Sequence, residues 1–281
     1  MRSGFATLVG RPNVGKSTLL NAILGTKVTI VSDKPQTTRT QVRGVLDVAA
    51  PEPAQVVFVD TPGIHKPRTP AGERMNAAAV ESLGDVDVAC LVLDATGPMG
   101  KGDRFVAARV PGNALCVMNK VDAASPAEVA VQLARAAELD LAEYFPVSAK
   151  TGEGVEELVA AVVARMPEGP AYYPEGTVTD VADAFWLAEL VREQLLAVVR
   201  DELPHSIACR VTEWEWPRIR CEILVERDSQ KGIVIGKGGL VLKAVGTAVR
   251  RQLREGAHLE LAVKVDKDWQ RRPSALDRLG F

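Results

Sequence analysis

The stretch Gly10-Arg11-Pro12-Asn13-Val14-Gly15-Lys16-Ser17 narrows what this chain can fold into more than any other. An apolar, strand-like segment at 5–9 precedes it, and a helix-like segment at 18–24 follows. A strand that turns through glycines into a helix gathers backbone N–H groups at the helix N-terminus, a nest suited to phosphate. The glycines permit the backbone angles that turn those groups inward. Lys16 adds a point charge at the β- and γ-phosphates, and the Ser17 hydroxyl a ligand for Mg²⁺. The plainer reading, a glycine turn with no ligand, explains neither the strand before nor the helix after. The sequence therefore predicts a P-loop holding a nucleoside triphosphate.

The surrounding pattern agrees with an α/β sheet. Strand-like segments at 5–9, 42–49, 55–59, 88–93, 113–118 and 144–147 alternate with helix-like ones up to about residue 168. The runs at 88–93 and 114–118 are continuously apolar, which suits parallel strands covered on both faces. Segment 42–49 is mixed in polarity and reads as an edge strand. Ser125, Pro126 and Glu128 form a capping box with proline at the first helical position, opening a helix to about Leu139. A helical stripe at 155, 158, 159, 162 and 163 marks another, Val155 to Met166. Alternating strands and helices predict a doubly wound, mostly parallel sheet.

At 281 residues the chain has room for two domains. Its 47 % apolar and 25 % charged content is that of a folded soluble protein. No apolar run reads as long enough to span a membrane, and no signal peptide is apparent. Cys90 and Cys116 read as small core residues, while Cys209 and Cys221 read as neighbours across a hairpin, reduced in the cytosol. No cysteine or histidine spacing suggests zinc. The Pro/Gly-rich segment 167–176 marks a boundary, so the expected parts are a nucleotide domain at 1–168, a linker at 169–180 and a second domain at 181–281.

Three further motifs stand at the ends of predicted strands. Asp60-Thr61-Pro62-Gly63 places an acid where it can hold Mg²⁺ and a glycine N–H that can sense the γ-phosphate. Asn119-Lys120-Val121-Asp122 addresses the base. Guanine presents N1–H and N2–H₂ side by side, and the Asp122 carboxylate can accept both. Adenine would leave a buried Asp122 unpaired, at a cost of about 1–3 kcal/mol. Asn119 either reaches the N7/O6 side or braces the loop. The backbone N–H groups of Ser148-Ala149-Lys150 can meet guanine O6. Each motif is weak alone. Together they stand in order at the carboxyl ends of strands, where open α/β sheets bind ligands.

With these four loops in place, residues 4–166 resemble a GTPase domain of the translation-factor class. Gln36-Thr37-Thr38-Arg39 resembles the first switch segment of Era-like GTPases. That resemblance implies Thr38 as a further Mg²⁺ ligand, with Thr37 as the nearby alternative, beside Ser17 and Asp60. It also sets Asn13 at the position of a K⁺-binding asparagine. Lys16, Thr38, Gly63 and Asn13 are then the residues expected to promote hydrolysis. Ile64 stands where Ras-type enzymes place a water-orienting glutamine, so slow unaided turnover is expected.

The remainder reads differently. A helix at about 181–202, strands at 206–213 and 219–227, a helix at 239–254 and a strand at 258–265 form an α+β unit. Ile233-Val234-Ile235 leads into Gly236-Lys237-Gly238-Gly239, which has the form of a KH-domain loop that approaches a nucleic-acid backbone. Leu240, Val241, Ala244, Val245 and Val249 are expected as one buried stripe, with Lys243, Arg250 and Arg254 outside it. Residues 227–254 hold seven Lys/Arg and one acid, a local excess of +6 in a chain of net charge −2. A solvated helix face is the plain reading and an RNA surface the sharper one. Gly236, Lys237, Gly238, Gly239, Lys243 and Arg250 are the expected contacts. Trp214 and Trp216 read as stacking platforms or, at least as readily, as core or interdomain packing residues and are not assigned to the site; Trp269 to Arg272 reads as an extension of the basic surface or, by default, a solvated tail.

A GTPase domain followed by a type II KH domain resembles the Era family along essentially the whole chain. The resemblance implies a GTP/GDP- and Mg²⁺-dependent switch, with K⁺ as a further cofactor, acting in small-subunit (30S) ribosome assembly. The implied partner is the 3′ end of 16S ribosomal RNA rather than DNA. The implied form is a cytoplasmic monomer, with peripheral attachment at the inner membrane face left open. A GTPase whose KH-like unit docks protein is the rival. A P-loop ATPase is disfavoured by Asp122, and a tandem-domain GTPase by the single P-loop motif.

Overall fold

A computed structural model describes the chain except residues 51, 66, 68 and 200–202. It falls into two units, described in turn. The first comprises Met1–Thr29, Thr38–Pro67 and Glu73–Asp180; the second comprises Ile30–Thr37, Arg68–Gly72 and Val181–Phe281.

In the first unit β1 (Arg2–Val9) leads through the glycine loop into α1 (Lys16–Leu24). Then come β2 (Val42–Val48), β3 (Ala54–Asp60), α2 (Pro70–Glu81), β4 (Val88–Asp94), α3 (Lys101–Ala107) and β5 (Leu115–Asn119). A 3₁₀ turn at Val121–Ala123, α4 (Pro126–Ala137), β6 (Glu143–Val147) and α5 (Val155–Ala164) complete it. The sheet order is β2-β3-β1-β4-β5-β6, parallel except for antiparallel β2. β3 is buried at every residue, and β4 at all but its last, because helices cover both faces. One core layer gathers Leu8, Phe58, Val92 and Leu158, the other Val9, Leu91, Met118 and Ala136. The capping box at α4 forms as expected: Ser125 accepts from the Glu128 N–H and the Glu128 carboxylate from the Ser125 N–H.

Residues 169–180, expected as a linker, are bound into this unit. The Tyr172 and Tyr173 N–H groups donate to Gln55 Oε1 at 2.7 and 2.9 Å, and Gly176 N–H to Asp47 Oδ2 at 3.0 Å. Val45 N–H donates to Val178 O at 2.8 Å. The outer edge of β2 is thus paired, which removes an exposed row of strand donors and acceptors.

The second unit contains α6 (Asp183–Val198), α7 (Leu203–Ser206), β7 (Ala208–Glu215), β8 (Arg218–Val225), α8 (Asp228–Ile235), α9 (Leu240–Arg250), β9 (His258–Val265) and α10 (Pro273–Arg278). The last residues of the first expected helix, 200–202, lie outside the described residues. β8 pairs antiparallel with β7 and parallel with β9. Leu187, Leu190, Val191 and Leu195 of α6 pack with Ile219, Cys221 and Ile223 of β8 and with Val234, Val245 and Val249. Cys209 and Cys221 are diagonal neighbours, Cys209 opposite Ile223 and Cys221 opposite Val211, and both are free thiols. Segment Ile30–Thr37 is held by α6: Val31 N–H donates to Glu193 Oε1 at 3.0 Å, and buried Arg192, ion-paired with Glu189, donates to the Thr37 carbonyl.

Three expectations need correction here. Helix α8 stands where the sequence implies a loop approach, since Gly232 and the β-branched Ile233-Val234-Ile235 disfavour helix; tertiary burial of Val234 overrides that preference. The segment Trp269 to Arg272 is no solvated tail. Trp269 is buried against Ala208, Leu224 and Leu276, and its Nε1–H donates to Ser206 O at 3.0 Å. Residues 228–250 are together long and apolar enough to cross a membrane, a length the sequence was not expected to contain. Gly238, at φ 60°, breaks them into helices of eight and eleven residues.

Candidate functional site

The glycine loop lies at the carboxyl end of β1, in line with the ends of β3, β5 and β6. Asn13 (φ 65°) and Gly15 (φ 94°) take left-handed angles, and Gly15 caps α1. A side chain on Gly15 would run into the Asn119 amide. Lys16 is buried, and its Nζ donates to the carbonyls of Gly10 at 3.2 Å and Arg11 at 3.1 Å. Burial pushes its ammonium down to about 8, against the opposing attraction of Asp60.

Ser17, Thr38 and Asp60 converge. Ser17 Oγ lies 2.7 Å from both Thr38 Oγ1 and Asp60 Oδ2, and Thr38 Oγ1 donates to Asp60 Oδ2 at 3.2 Å. Asp60 is fully buried. Burial raises its carboxyl pKa, opposed by Lys16 and the hydroxyls of Ser17, Thr38 and Thr29. Its Oδ1 has no hydrogen-bond partner among the described residues. A buried carboxylate oxygen without a partner is costly, and a hard cation relieves that cost. One carboxylate and two hydroxyls match Mg²⁺, which takes few protein oxygens and keeps waters and phosphates for the rest. The residues present therefore fit the metal. Thr37 is set apart, its hydroxyl donating to Lys34 O at 2.7 Å.

Gly63 abuts the glycine loop so closely that an added Cβ would lie 2.6 Å from Pro12 N. Ile64 points into the core among Val9, Leu91 and Met118, and its N–H donates to Gly10 O at 3.2 Å. Thr61 spends its hydroxyl on Leu8 O at 2.9 Å, a link between strands. Arg11 turns to α3, where it pairs with buried Asp103 at 2.6 Å.

The base-reading loops are joined through one residue. Buried Asn119 donates from Nδ2 to Val14 O at 2.9 Å and accepts at Oδ1 from Ala149 N–H at 3.0 Å. Of the two roles weighed for it, this geometry performs the bracing. It also engages one N–H expected to be open for guanine. Lys120 (φ 68°) reaches back to Asn13 O at 2.7 Å and Asp94 at 2.6 Å. Asp122 is exposed and accepts from the Ser148 hydroxyl at 2.7 Å. Its loop turns outward in the 3₁₀ turn, which the sequence did not signal.

In the second unit the Gly236–Gly239 loop joins α8 to α9. Gly236 (φ 74°), Gly238 (φ 60°) and Gly239 (φ 79°) all take angles that favour glycine. Gly236 is crowded by Val241, whereas nothing lies within 4 Å of a Cβ on Gly238 or Gly239. Lys237, Lys243 and Arg250 are exposed. Val245 and Val249 are buried as expected, but Ala244 is exposed and Leu240 is 65 % exposed, with Ile233 at 55 % on the other side of the loop. The stripe therefore leaves apolar surface beside the loop. Exposed side chains there fit a loop that meets a partner, where periodicity alone predicts burial.

Residues 5–120 match the family described as 50S ribosome-binding GTPase, and residues 202–270 match the KH domain. The chain is 46 % identical over 299 residues to the GTPase Era of Mycolicibacterium paratuberculosis, covering 100 % of this chain and 99 % of that one. It is also 46 % identical to the GTPase Era of Mycobacterium tuberculosis, covering 99 % and 98 %. A crystal structure of Era in complex with MgGDPNP and nucleotides 1506–1542 of 16S ribosomal RNA superposes with a TM-score of 0.94 at 37 % identity, over 100 % of this chain and 99 % of that one. An Aquifex aeolicus Era variant bound to GDP and AlF₄⁻ gives 0.93 at 36 % identity, with the same coverage. Likeness at this identity spans both units and every loop described above, and the chain belongs to the Era family of GTPases.

Proposed function

We propose that this GTPase is a nucleotide-timed RNA-binding protein of small-subunit assembly. In this reading GTP lies on Gly10–Ser17 with Lys16 against its β- and γ-phosphates. Ser17, Thr38 and Asp60 hold Mg²⁺, and the Gly63 N–H senses the γ-phosphate. Asp122 selects guanine, while Asn119 keeps the loops of Val14 and Ala149 in register for it. RNA follows the Gly236–Gly239 loop, with Lys237, Lys243 and Arg250 against its phosphates.

The observation that supports this reading most is the full-length likeness to Era in complex with MgGDPNP and nucleotides 1506–1542 of 16S ribosomal RNA. On that likeness the RNA is the 3′ end of 16S ribosomal RNA and the assembly is the 30S subunit. An open glycine loop carrying exposed Lys237, followed by exposed Lys243 and Arg250 along α9, favours RNA over a docking protein. Crosslinking followed by RNA sequencing tests it. Wild type is expected to give a footprint at the 3′ end of 16S ribosomal RNA, and a Lys237→Asp, Gly238→Asp double variant to lose it. An unchanged footprint in the variant overturns the assignment.

Two features of the switch follow. GTP is expected to change RNA affinity, and RNA must then change GTP affinity by the same factor. Equal RNA affinity with GDP and with a GTP analogue overturns the coupling. Asn13 is expected to hold K⁺ beside the transferring phosphoryl group, since Ile64 offers no hydrogen bond to water. Hydrolysis should be faster in K⁺ than in Na⁺, and Asn13→Ala should abolish the difference. Equal rates in both salts for wild type remove K⁺ from the mechanism.

A further inference from the structure

Trp214 and Trp216 have no part in the reading above. They stand at the β7–β8 turn, 39 % and 46 % exposed. Strand alternation sorts the charges around them. Glu213 lies opposite Arg220, and Glu215 opposite Arg218. With His258 and Glu260 these four line one pocket on one face of the sheet, where Arg220 pairs with both Glu213 and Glu260. The acids of this region are therefore answered by arginines on that face. Trp214 lies opposite Ile219, whose side chain belongs to the core. It stands on the other face, the one against which the helices pack. There the Arg254 guanidinium sits over the Trp216 ring, 5.6 Å from its centroid. Arg250 and Arg251 are also exposed, with Glu255 the one acid in 250–255.

Large exposed aromatics beside unanswered arginines are the composition of a single-strand-binding surface. Bases stack on the rings, and guanidinium groups meet phosphate or add cation–π attraction. The positive balance of this face favours a polyanion over a neutral partner, and the exposed rings favour one that carries nucleobases over an acidic protein. We propose that Trp216, with Trp214 and Arg254, is a nucleobase-stacking site for RNA that continues past the Gly236–Gly239 loop. The proposal rests on the RNA-binding reading. The eleven residues of α9 separate the loop from the patch by roughly 16 Å, at about 1.5 Å per residue. A stacked strand advances about 3.4 Å per nucleotide. The base reaching Trp216 is then roughly five nucleotides from the start of the loop contact, just beyond the about four that a KH loop clamps.

The test measures the affinity of the full chain for the 16S fragment 1506–1542 by fluorescence anisotropy. Trp216→Ala and Trp216→Leu should each weaken binding about 10-fold, within the range of one stacked base. Trp216→Phe, which keeps a ring, should stay within about 3-fold of wild type. On a fragment cut to about four nucleotides, all three should match wild type. If Trp216→Leu binds the long fragment as tightly as wild type while the Lys237→Asp, Gly238→Asp variant loses it, the stacking site is overturned and the loop assignment stands. If Trp216→Phe falls as far as Trp216→Leu, or the loss persists on the short fragment, the ring acts through the fold and the proposal also fails. Absence of binding by wild type overturns the stacking site and the RNA reading together.

Discussion

The carboxyl end of the first sheet and the glycine loop of the second unit are both built from glycines and a lysine, yet they are opposites in construction. At the sheet, polar atoms are buried and answer one another. Lys16 donates to two loop carbonyls, Ser17 and Thr38 to Asp60, and Asn119 ties Val14 to Ala149. At the loop, Lys237 stands in solvent, and Gly238 and Gly239 after it have open space around them. The first arrangement is preorganised for a small ligand of fixed shape. The second leaves its groups uncommitted, as suits a long and variable polyanion. The first should therefore couple binding to stability, and the second should not.

Four experiments press on that contrast. Lys16→Ala should lower GTP hydrolysis by at least about 100-fold in a single-turnover phosphate-release assay, since it removes a charge aimed at the transferring group. Hydrolysis within a few-fold of wild type would mean the buried lysine only props the loop. Asn119→Ala should lower unfolding free energy by about 2–4 kcal/mol in urea, because it strands Val14 O and Ala149 N–H, each buried and each costing about 1–3 kcal/mol unpaired. Lys237→Ala should leave stability within about 0.5 kcal/mol while reducing the salt slope of RNA binding by about 1. A comparable loss of stability at Lys237 would erase the contrast.

The smallest effect is a protonation. Burial holds the Lys16 pKa at about 8, below its ordinary 10.5. Below about 8 the lysine is charged in both folded and unfolded states, and burying that charge costs stability. Between about 8 and 10.5 the unfolded chain binds more protons, so this cost is relieved as pH rises. Phosphates restore the charged form. GTP binding should therefore take up a proton near pH 8 and weaken as pH rises further. Calorimetry in buffers of different ionisation enthalpy reads the uptake directly, and observed heats that are the same in every buffer would contradict it.

Much of this was legible in the residues. The glycine loop, the three other strand-end motifs and the capping box at Ser125 are local patterns whose backbone angles and hydrogen bonds follow from nearby residues. Helix α8 was not legible, because Gly232 and three β-branched residues argue against the helix that packing imposes. The burial of Leu240 was misjudged for the converse reason: periodicity says which residues share a face, not whether something covers it. The exposure of Asp122 on the 3₁₀ turn after β5 is not written in its four-residue motif. The role of Asn119 is decided by partners on two other loops, Val14 and Ala149, which its own motif does not contain.

Sequence alone determined that the chain carries a phosphate loop, a guanine-type motif set and a basic glycine loop, in that order, because each is written within a few consecutive residues. Tertiary structure decided which of their atoms meet. Ser17, Thr38 and Asp60 are separated by 21 and 22 residues, yet they share hydrogen bonds. Asn119 answers Val14 across 105 residues. The parallel sheet aligns the ends of β1, β3, β5 and β6, and packing, not sequence proximity, sets those distances.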